Sequence, residues 1–140
     1  MGANAFTGVQ AAEIFAVLWL VIMSVSHVLQ PKAWAAFFIR LREMGNAGVF
    51  ANGFLTLIFG SLIAAFHDVW TWPGIAVTLI GWSQVVKGAV AFIAPDISAA
   101  GMRLVSLEKA WRFQAAGAVM LIATIWLGYL LYASWKGIIP

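Results

Sequence analysis

The stretch GIAVTLIGWSQVVKGAVAFIAP, from Gly74 to Pro95, holds a single charged residue, Lys87. About 20 residues of α-helix cross the hydrocarbon core of a bilayer, so this run has the length of one membrane span. The whole chain is 64% hydrophobic and only 9% charged, with a mean hydropathy of +0.96, whereas soluble domains are about 25% charged. The sequence therefore predicts an integral membrane protein.

Uncharged runs of this length occur four times, and we predict one transmembrane helix in each. The predicted spans cover approximately residues 11–30, 46–67, 73–94 and 112–135. Residues 1–140 then form one all-α domain, an antiparallel bundle of four transmembrane helices. Because the chain has no cysteine, disulfides and cysteine-based metal sites are excluded.

Basic residues cluster in two of the three connectors, after the first and third spans. They are Lys32, Arg40, Arg42, Arg103, Lys109 and Arg112. By the positive-inside rule, both connectors are predicted to face the cytoplasm and both chain termini to lie outside. Aromatic residues that favour the headgroup level fall at the opposite ends of the spans, at Trp70, Trp72, Tyr132 and Trp135. The net charge of +3 reflects this placement and does not indicate nucleic-acid binding.

Each basic connector begins near a proline and continues with apolar residues at helical spacing, which predicts a short amphipathic helix on the cytoplasmic surface. The apolar residues are Trp34, Phe37, Phe38, Leu41 and Met44 in the first connector, and Ile97, Leu104, Leu107 and Trp111 in the second. A shift of 64 positions aligns Pro31 with Pro95 and Gly53 with Gly117. This match suggests that the four spans are a duplicated helical hairpin.

Small and polar residues repeat at helical spacing along each span, as Gly81 and Gly88 do in the third. Small side chains let membrane helices approach closely, so these stripes are predicted to be the packing faces of the bundle. The opposite faces, rich in Leu, Ile, Val and Phe, are predicted to contact lipid. The same stripes also suggest a homo-oligomer or contact with another membrane subunit.

Lys87 raises the sharpest functional question. It lies eight residues before Pro95, which places it roughly 12 Å inside the cytoplasmic end of its span. Its long side chain can either extend to the headgroups or turn into the bundle. The candidate binding residues at a similar depth are Lys87, Gln84, Asn52, His27 and Gln114, and the candidate charge partners are Glu43 and Glu108.

His67 and Asp68 fall in the short connector between the second and third spans, where we expect them to cap and anchor the outer turn. A pH-sensing or ligand-binding role for His67 is the alternative. His27 belongs to the other end of the bundle, so the two histidines cannot ligate one haem iron within a chain. The sequence contains no helical pair with metal spacing and no catalytic triad at one depth. We therefore assign no catalytic residue, no metal and no cofactor, and regard an enzyme as the weaker hypothesis.

The segment FHDVWTWPGIAVTLIGWSQVVKGAVAFIAP, Phe66 to Pro95, resembles a signature of small bacterial four-span integral membrane proteins. The pattern is Phe-His-x-x-Trp, a Trp-centred start of the third span, Thr-x-x-Gly-Trp, Lys-Gly and a closing Pro. It is carried by Phe66, His67, Trp70, Trp72, Thr78, Gly81, Trp82, Lys87, Gly88 and Pro95. The close match covers about a fifth of the chain. The resemblance implies a four-span fold in the bacterial inner (cytoplasmic) membrane, and it implies no activity.

Two functions fit these patterns. The first is a non-catalytic membrane protein in contact with lipid, which self-associates or serves as an accessory subunit of a membrane complex. The second is a small conduit or carrier for a solute, an ion or an amphiphile. Its binding site would be the cytoplasmic polar cluster around Lys87.

Overall fold

Helices make up nearly all of the computed structural model, which describes residues 6–139. Within that range there are no strands, and a 3₁₀ turn at Leu107–Lys109 precedes the last helix. The helices are α1 Gly8–Leu29, α2 Pro31–Glu43, α3 Asn46–Phe66, α4 Gly74–Ile93, α5 Pro95–Arg103 and α6 Trp111–Trp135. Four of them, α1, α3, α4 and α6, are long and apolar enough to cross a membrane. The predicted all-α, four-span fold is confirmed, and residues 1–5 and 140 of the predicted domain lie outside the described part.

The ends of the helices follow from local sequence. Thr7 accepts a hydrogen bond from the backbone of Gln10, whose side chain accepts one from the backbone of Thr7, and this reciprocal capping box starts α1. Pro31 and Pro95 each occupy the first position of a surface helix. Proline fits there because the first helical N–H has no partner within the helix, and it prevents the preceding helix from continuing. The two prolines therefore separate spanning helix from surface helix.

The second surface helix is shorter than its apolar spacing suggests. Of the four apolar residues expected to share one face, only Ile97 lies in α5, while Trp111 begins α6. Between them Ser106 takes an extended conformation ahead of the 3₁₀ turn. This break redirects the chain from the membrane surface into α6.

The spanning helices pack as two antiparallel pairs, α3 with α4 and α1 with α6. A Cβ added to Gly60 of α3 would lie 2.5 Å from the backbone nitrogen of Val85, and one added to Gly88 of α4 would lie 2.7 Å from the Cβ of Leu57. In the other pair, a Cβ on Gly117 would lie 2.6 Å from that of His27. Side chains larger than hydrogen do not fit at these positions, so the glycine stripes are packing faces within one chain, as predicted.

The two pairs join most closely at the end where α1 begins and α6 ends, which we call the terminal end. A core formed by all four spanning helices lies on this side of the bundle, and its buried members are Ala16, Phe59, Ile63, Val77, Leu127 and Leu131. At the other end, the connector end, α2 and α5 pack across the bundle over a smaller core of Leu41, Val49, Ala91 and Met102. The α4 and α6 helices make almost no direct contact. At the connector end, an open space between them is lined by residues of both helices.

Candidate functional site

A cavity of about 440 Å³ occupies the opening at the connector end, and both Lys87 and Asn52 line it. We call it the Lys87 cleft. Asn52 reaches it from α3 and Lys87 from α4, while Ser98 of α5 adds a hydroxyl. Lys87 is exposed and Asn52 is half-buried. The cleft is thus lined by one exposed cationic side chain and one half-buried amide.

The rest of the Lys87 cleft is largely apolar. Its other lining residues are Phe38, Val90, Ala91, Ile97, Gly101, Met102, Val105 and Phe113. Small-molecule sites combine such walls with a few polar groups that fix orientation, and their volumes are about 300–1,000 Å³. One exposed cation beside a largely apolar wall suits a ligand with an anionic group at one end and hydrocarbon at the other.

A second cavity, of about 320 Å³, lies next to the first and shares Phe38, Val105 and Phe113 with it. The rings of Phe38 and Phe113 stack with their centroids 5.6 Å apart. We call this second space the Arg112 cavity, because Arg112 and Lys109 line it.

The Arg112 cavity also contains an unsatisfied polar atom. Among the described residues, the hydroxyl oxygen of Ser106 is buried without a hydrogen-bond partner, and Ser106 lines this cavity. A buried hydroxyl normally has a partner, since leaving it without one costs about 1–3 kcal/mol. Lys109, Arg112 and the Ser106 hydroxyl are all donors from which a bound anion could accept hydrogen bonds.

His27 forms part of the wall of the Arg112 cavity and is held on two sides. Its Nδ1 lies 2.7 Å from the carbonyl oxygen of Met23, and because a carbonyl only accepts, Nδ1 carries the hydrogen. The imidazole ring stacks on Trp34 of α2 with the centroids 4.2 Å apart. Trp34 in turn donates its indole N–H to Ser26 at 2.9 Å. His27 therefore lies at the same end as Lys87 but lines the neighbouring cavity.

The remaining candidates from the sequence lie outside both cavities. Gln84 is half-buried along the α3 and α4 contact, and Gln114 is exposed with its amide 3.4 Å from the carbonyl of Val28. Glu43 and Glu108 are exposed. The one ion pair among residues 6–139 joins Glu13 to His67, so neither Glu43 nor Glu108 contacts Lys87 as a salt bridge.

The terminal end contains a buried polar cluster to which each spanning helix contributes. We call it the terminal cluster, and its members are Glu13, His67, Thr78 and Trp135. Glu13 is 5% exposed and His67 is 1% exposed. The Nε2 atom of His67 lies 3.2 Å from Oε1 of Glu13, and its Nδ1 lies 2.9 Å from Oγ1 of Thr78. Trp135 donates its indole N–H to Oε2 of Glu13 at 2.6 Å.

Thr78 anchors the terminal cluster to the connector between α3 and α4. Its hydroxyl donates to the carbonyl of Val69 at 2.7 Å and accepts from the Val69 N–H at 3.2 Å. His67 is the C-cap that directly follows α3, so the turn after this helix and the side-chain network meet at one residue. Asp68 is exposed and accepts a hydrogen bond from the indole of Trp70. The predicted outer-turn pair is thus divided, with His67 inside the bundle and Asp68 on its surface.

Sequence reasoning placed Thr78 and His67 in one signature and Trp135 at the headgroup level, but it connected neither Glu13 nor Trp135 with His67. A usable signal was present, because Glu13 is the sole carboxylate within the four predicted spans. Burying an isolated carboxylate is costly unless a cation or hydrogen-bond donors accompany it. At that end of the bundle, His67 is the one basic residue within a predicted span.

Comparison with protein-family models, with curated proteins and with solved structures finds no match to this chain. The geometry of the two ends therefore carries the functional argument for this multi-pass membrane protein.

Proposed function

We propose that this membrane protein is non-catalytic and binds an anionic amphiphile at its connector end, as a lipid-binding protein or a carrier. The observation that carries this proposal is the Lys87 cleft, where one exposed cation, one amide and one hydroxyl line an otherwise apolar cavity. The ligand class is a hydrocarbon chain that ends in a phosphate or a carboxylate.

Electrostatics support an anionic ligand. A charged side chain at the centre of a span costs about 2.5–3.5 kcal/mol on insertion scales, and less near the interface. No carboxylate among the described residues forms a salt bridge with Lys87. An anionic headgroup near the membrane surface would supply the missing countercharge, and Lys109 and Arg112 would extend the positive potential into the adjoining cavity.

The position of the cleft supports an amphiphile rather than a water-soluble ion. The cleft lies where α4 and α6 make almost no contact, between two helices that are both long enough to span the membrane. Ile93 at the end of α4 and Trp111 at the start of α6 are largely exposed. A hydrocarbon chain could enter from the bilayer between these helices while its headgroup stays at the level of α2 and α5.

Binding can be tested on the purified protein in a mild detergent. We would add phosphatidylglycerol, palmitate or phosphatidylcholine and count the retained molecules by native mass spectrometry. We expect retention of one or both anionic lipids over phosphatidylcholine, and the comparison of the first two distinguishes phosphate from carboxylate. Equal retention of all three would contradict the proposal.

The Lys87→Met variant tests the site itself. A hydrogen bond to a charged group contributes about 1.5–3 kcal/mol, so we expect affinity for the anionic lipid to fall roughly 10- to 100-fold. Lys32→Met is the matched control, because Lys32 is exposed at the start of α2 and lines neither cavity. Equal effects of the two substitutions would indicate a general loss of positive charge and would remove the cleft from the proposal.

The location that we propose is a bacterial inner membrane, with the connector end in the cytoplasm and both chain termini outside. Its support is the distribution of charge, since the basic residues of the two long connectors lie on or beside α2 and α5. Trp70 and Trp72 lie at the terminal end and are largely exposed. Amphipathic rings at that level are typical of the opposite interface.

Self-association or assembly with another subunit stays a prediction. The glycine stripes that suggested it are occupied within one chain at Gly60, Gly81, Gly88 and Gly117. A homo-oligomer would therefore have to use the Leu, Ile and aromatic faces that also suit lipid.

A further inference from the structure

We propose that Glu13 and His67 together bind one exchangeable proton, which makes the terminal cluster a proton-binding site separate from the Lys87 cleft. The inference rests on the count of hydrogen-bond donors and acceptors in the cluster. It does not depend on what the cleft binds.

The first step concerns Thr78. Its hydroxyl hydrogen points to the carbonyl oxygen of Val69 at 2.7 Å. A hydroxyl has one hydrogen, so toward His67, 2.9 Å away, Oγ1 can only accept. The Nδ1 atom of His67 therefore carries a hydrogen.

The second step concerns the other ring nitrogen. With a hydrogen on Nδ1, a neutral imidazole presents a lone pair at Nε2, and an ionised Glu13 presents a second lone pair 3.2 Å away at Oε1. Two acceptors at hydrogen-bond distance repel each other, so one hydrogen must lie between them. It is either on Nε2, as imidazolium and carboxylate, or on Oε1, as imidazole and carboxylic acid. Both arrangements leave the pair with no net charge.

The third step identifies how the proton is released. If the Thr78 hydroxyl turns its hydrogen from the Val69 carbonyl to Nδ1, the ring can lose its Nδ1 proton and keep the hydrogen on Nε2. The neutral ring then donates to the carboxylate of Glu13, and the pair carries one negative charge. The indole N–H of Trp135 donates to Oε2 in either state. The two states differ by one proton and by the direction of one hydroxyl.

The surroundings contain no other buried charge among the described residues. In the connector after α3, the nearest ionisable group is Asp68, which is exposed and bonded to Trp70. In α4 the first ionisable residue is Lys87, at the opposite end. At this end of α6 the ionisable residues are Tyr129 and Tyr132, both exposed, and Lys136 follows the helix with its ammonium 5.8 Å from the Tyr132 ring. Glu13 is the one charged residue of α1, and the other ionisable residue of this helix, His27, lies at its far end.

A cavity adjoins the carboxylate of Glu13. A cavity of about 140 Å³ between α1 and α6 is lined by Glu13, Trp135, Gly128 and Leu131, among others. A cavity of this size holds a few water molecules, and its polar partners here are the carboxylate and the indole. Water in this cavity would let the proton exchange at the terminal end without crossing the bundle.

The test is ¹⁵N NMR of histidine-labelled protein in detergent micelles. The chain has two histidines, and a His27→Gln variant assigns the remaining signals to His67. At acid pH we expect a hydrogen on Nδ1 of His67, and with rising pH we expect Nδ1 to lose it while Nε2 keeps its own. A ring that holds hydrogen only on Nε2 at every pH would overturn the proposal, and so would a ring that never changes state. This wild-type spectrum is decisive whether or not any cluster variant folds.

Glu13→Gln tests whether the pair acts as a unit. Without the carboxylate, the net-neutral arrangement with a charged ring is lost, so we expect His67 to stay neutral across the range over which the wild type releases its proton. Asp68→Asn is the matched control, since this exposed carboxylate adjoins His67 in sequence but is bonded to Trp70. An unchanged titration in Glu13→Gln would show that His67 titrates independently of Glu13, and an equal loss in Asp68→Asn would show that the effect is not specific to the pair.

Discussion

Glu13 of α1 and Trp135 of α6 are joined by a hydrogen bond of 2.6 Å, although 122 positions separate them in the sequence. The bond holds α1 and α6 together at the terminal end, because Trp135 is the last residue of α6. His67 and Thr78 connect the same carboxylate to α3 and α4. The terminal cluster therefore links the two helix pairs where their shared core is found.

Replacing Trp135 with phenylalanine should loosen this link while keeping an aromatic ring in place. The indole N–H bonds to a buried carboxylate. We expect the free energy of unfolding to fall by about 1–2 kcal/mol, a range that reflects both charge-assisted bonds in water and the weaker bonds measured within membranes. Thermal unfolding in detergent would measure the change. Trp72→Phe is the control, because Trp72 is exposed, and an equal effect of both variants would contradict a specific role for Trp135.

Gly60→Ala should separate α3 from α4. The added Cβ would lie 2.5 Å from the Val85 nitrogen and 2.8 Å from the Gly81 oxygen, which are backbone atoms and cannot rotate away. Overpacking of this kind costs about 1–3 kcal/mol or more. Gly101→Ala in α5 is the control, because nothing lies within 4 Å of its Cβ position, and alanine favours helix there. Thermal unfolding in detergent would measure the difference. If both variants unfolded at the wild-type temperature, the contact between α3 and α4 would be looser than described.

Hydropathy and spacing were sufficient for part of this fold. Four uncharged runs predicted the four spanning helices because the bilayer fixes their length. The small residues at helical spacing, Gly60, Gly81 and Gly88 among them, predicted the faces that pack. The prolines at positions 31 and 95 predicted where spanning helix ends and surface helix begins.

The pairing of the helices could not be predicted in the same way. All four spans have similar length and composition, so nothing local indicates that α1 packs along α6 rather than only along α3. The terminal cluster depends on that pairing, since Glu13 and His67 are 54 positions apart. The Lys87 cleft was easier to predict from the sequence, because Lys87 and Asn52 lie at a similar depth on adjacent spans. Its division from the Arg112 cavity by Phe38 and Phe113 depends on side-chain packing that no sequence spacing specifies.

The proposed topology can be tested cleanly because the chain has no cysteine of its own. We would introduce one cysteine at a time, as Asp68→Cys at the terminal end and as Glu108→Cys at the connector end. Both positions are exposed carboxylates, so the two variants are matched. With a membrane-impermeant maleimide on intact bacterial cells, we expect labelling at position 68 and labelling at position 108 only after the membrane is permeabilised. The reverse pattern would place the termini in the cytoplasm.

Ser106→Ala examines whether the Arg112 cavity takes part in binding. Its hydroxyl oxygen is buried without a partner among the described residues, so removing it should leave the lipid-free protein as stable as before, or more stable by up to about 1 kcal/mol. If an anionic headgroup accepts a hydrogen bond from this hydroxyl, phosphatidylglycerol should raise the unfolding midpoint of the variant less than that of the wild type. Ser83→Ala is the control, because Ser83 is exposed and donates to the Ile80 carbonyl. A full lipid effect in Ser106→Ala would confine binding to the Lys87 cleft, and a large loss of stability without lipid would show that Ser106 has a structural partner.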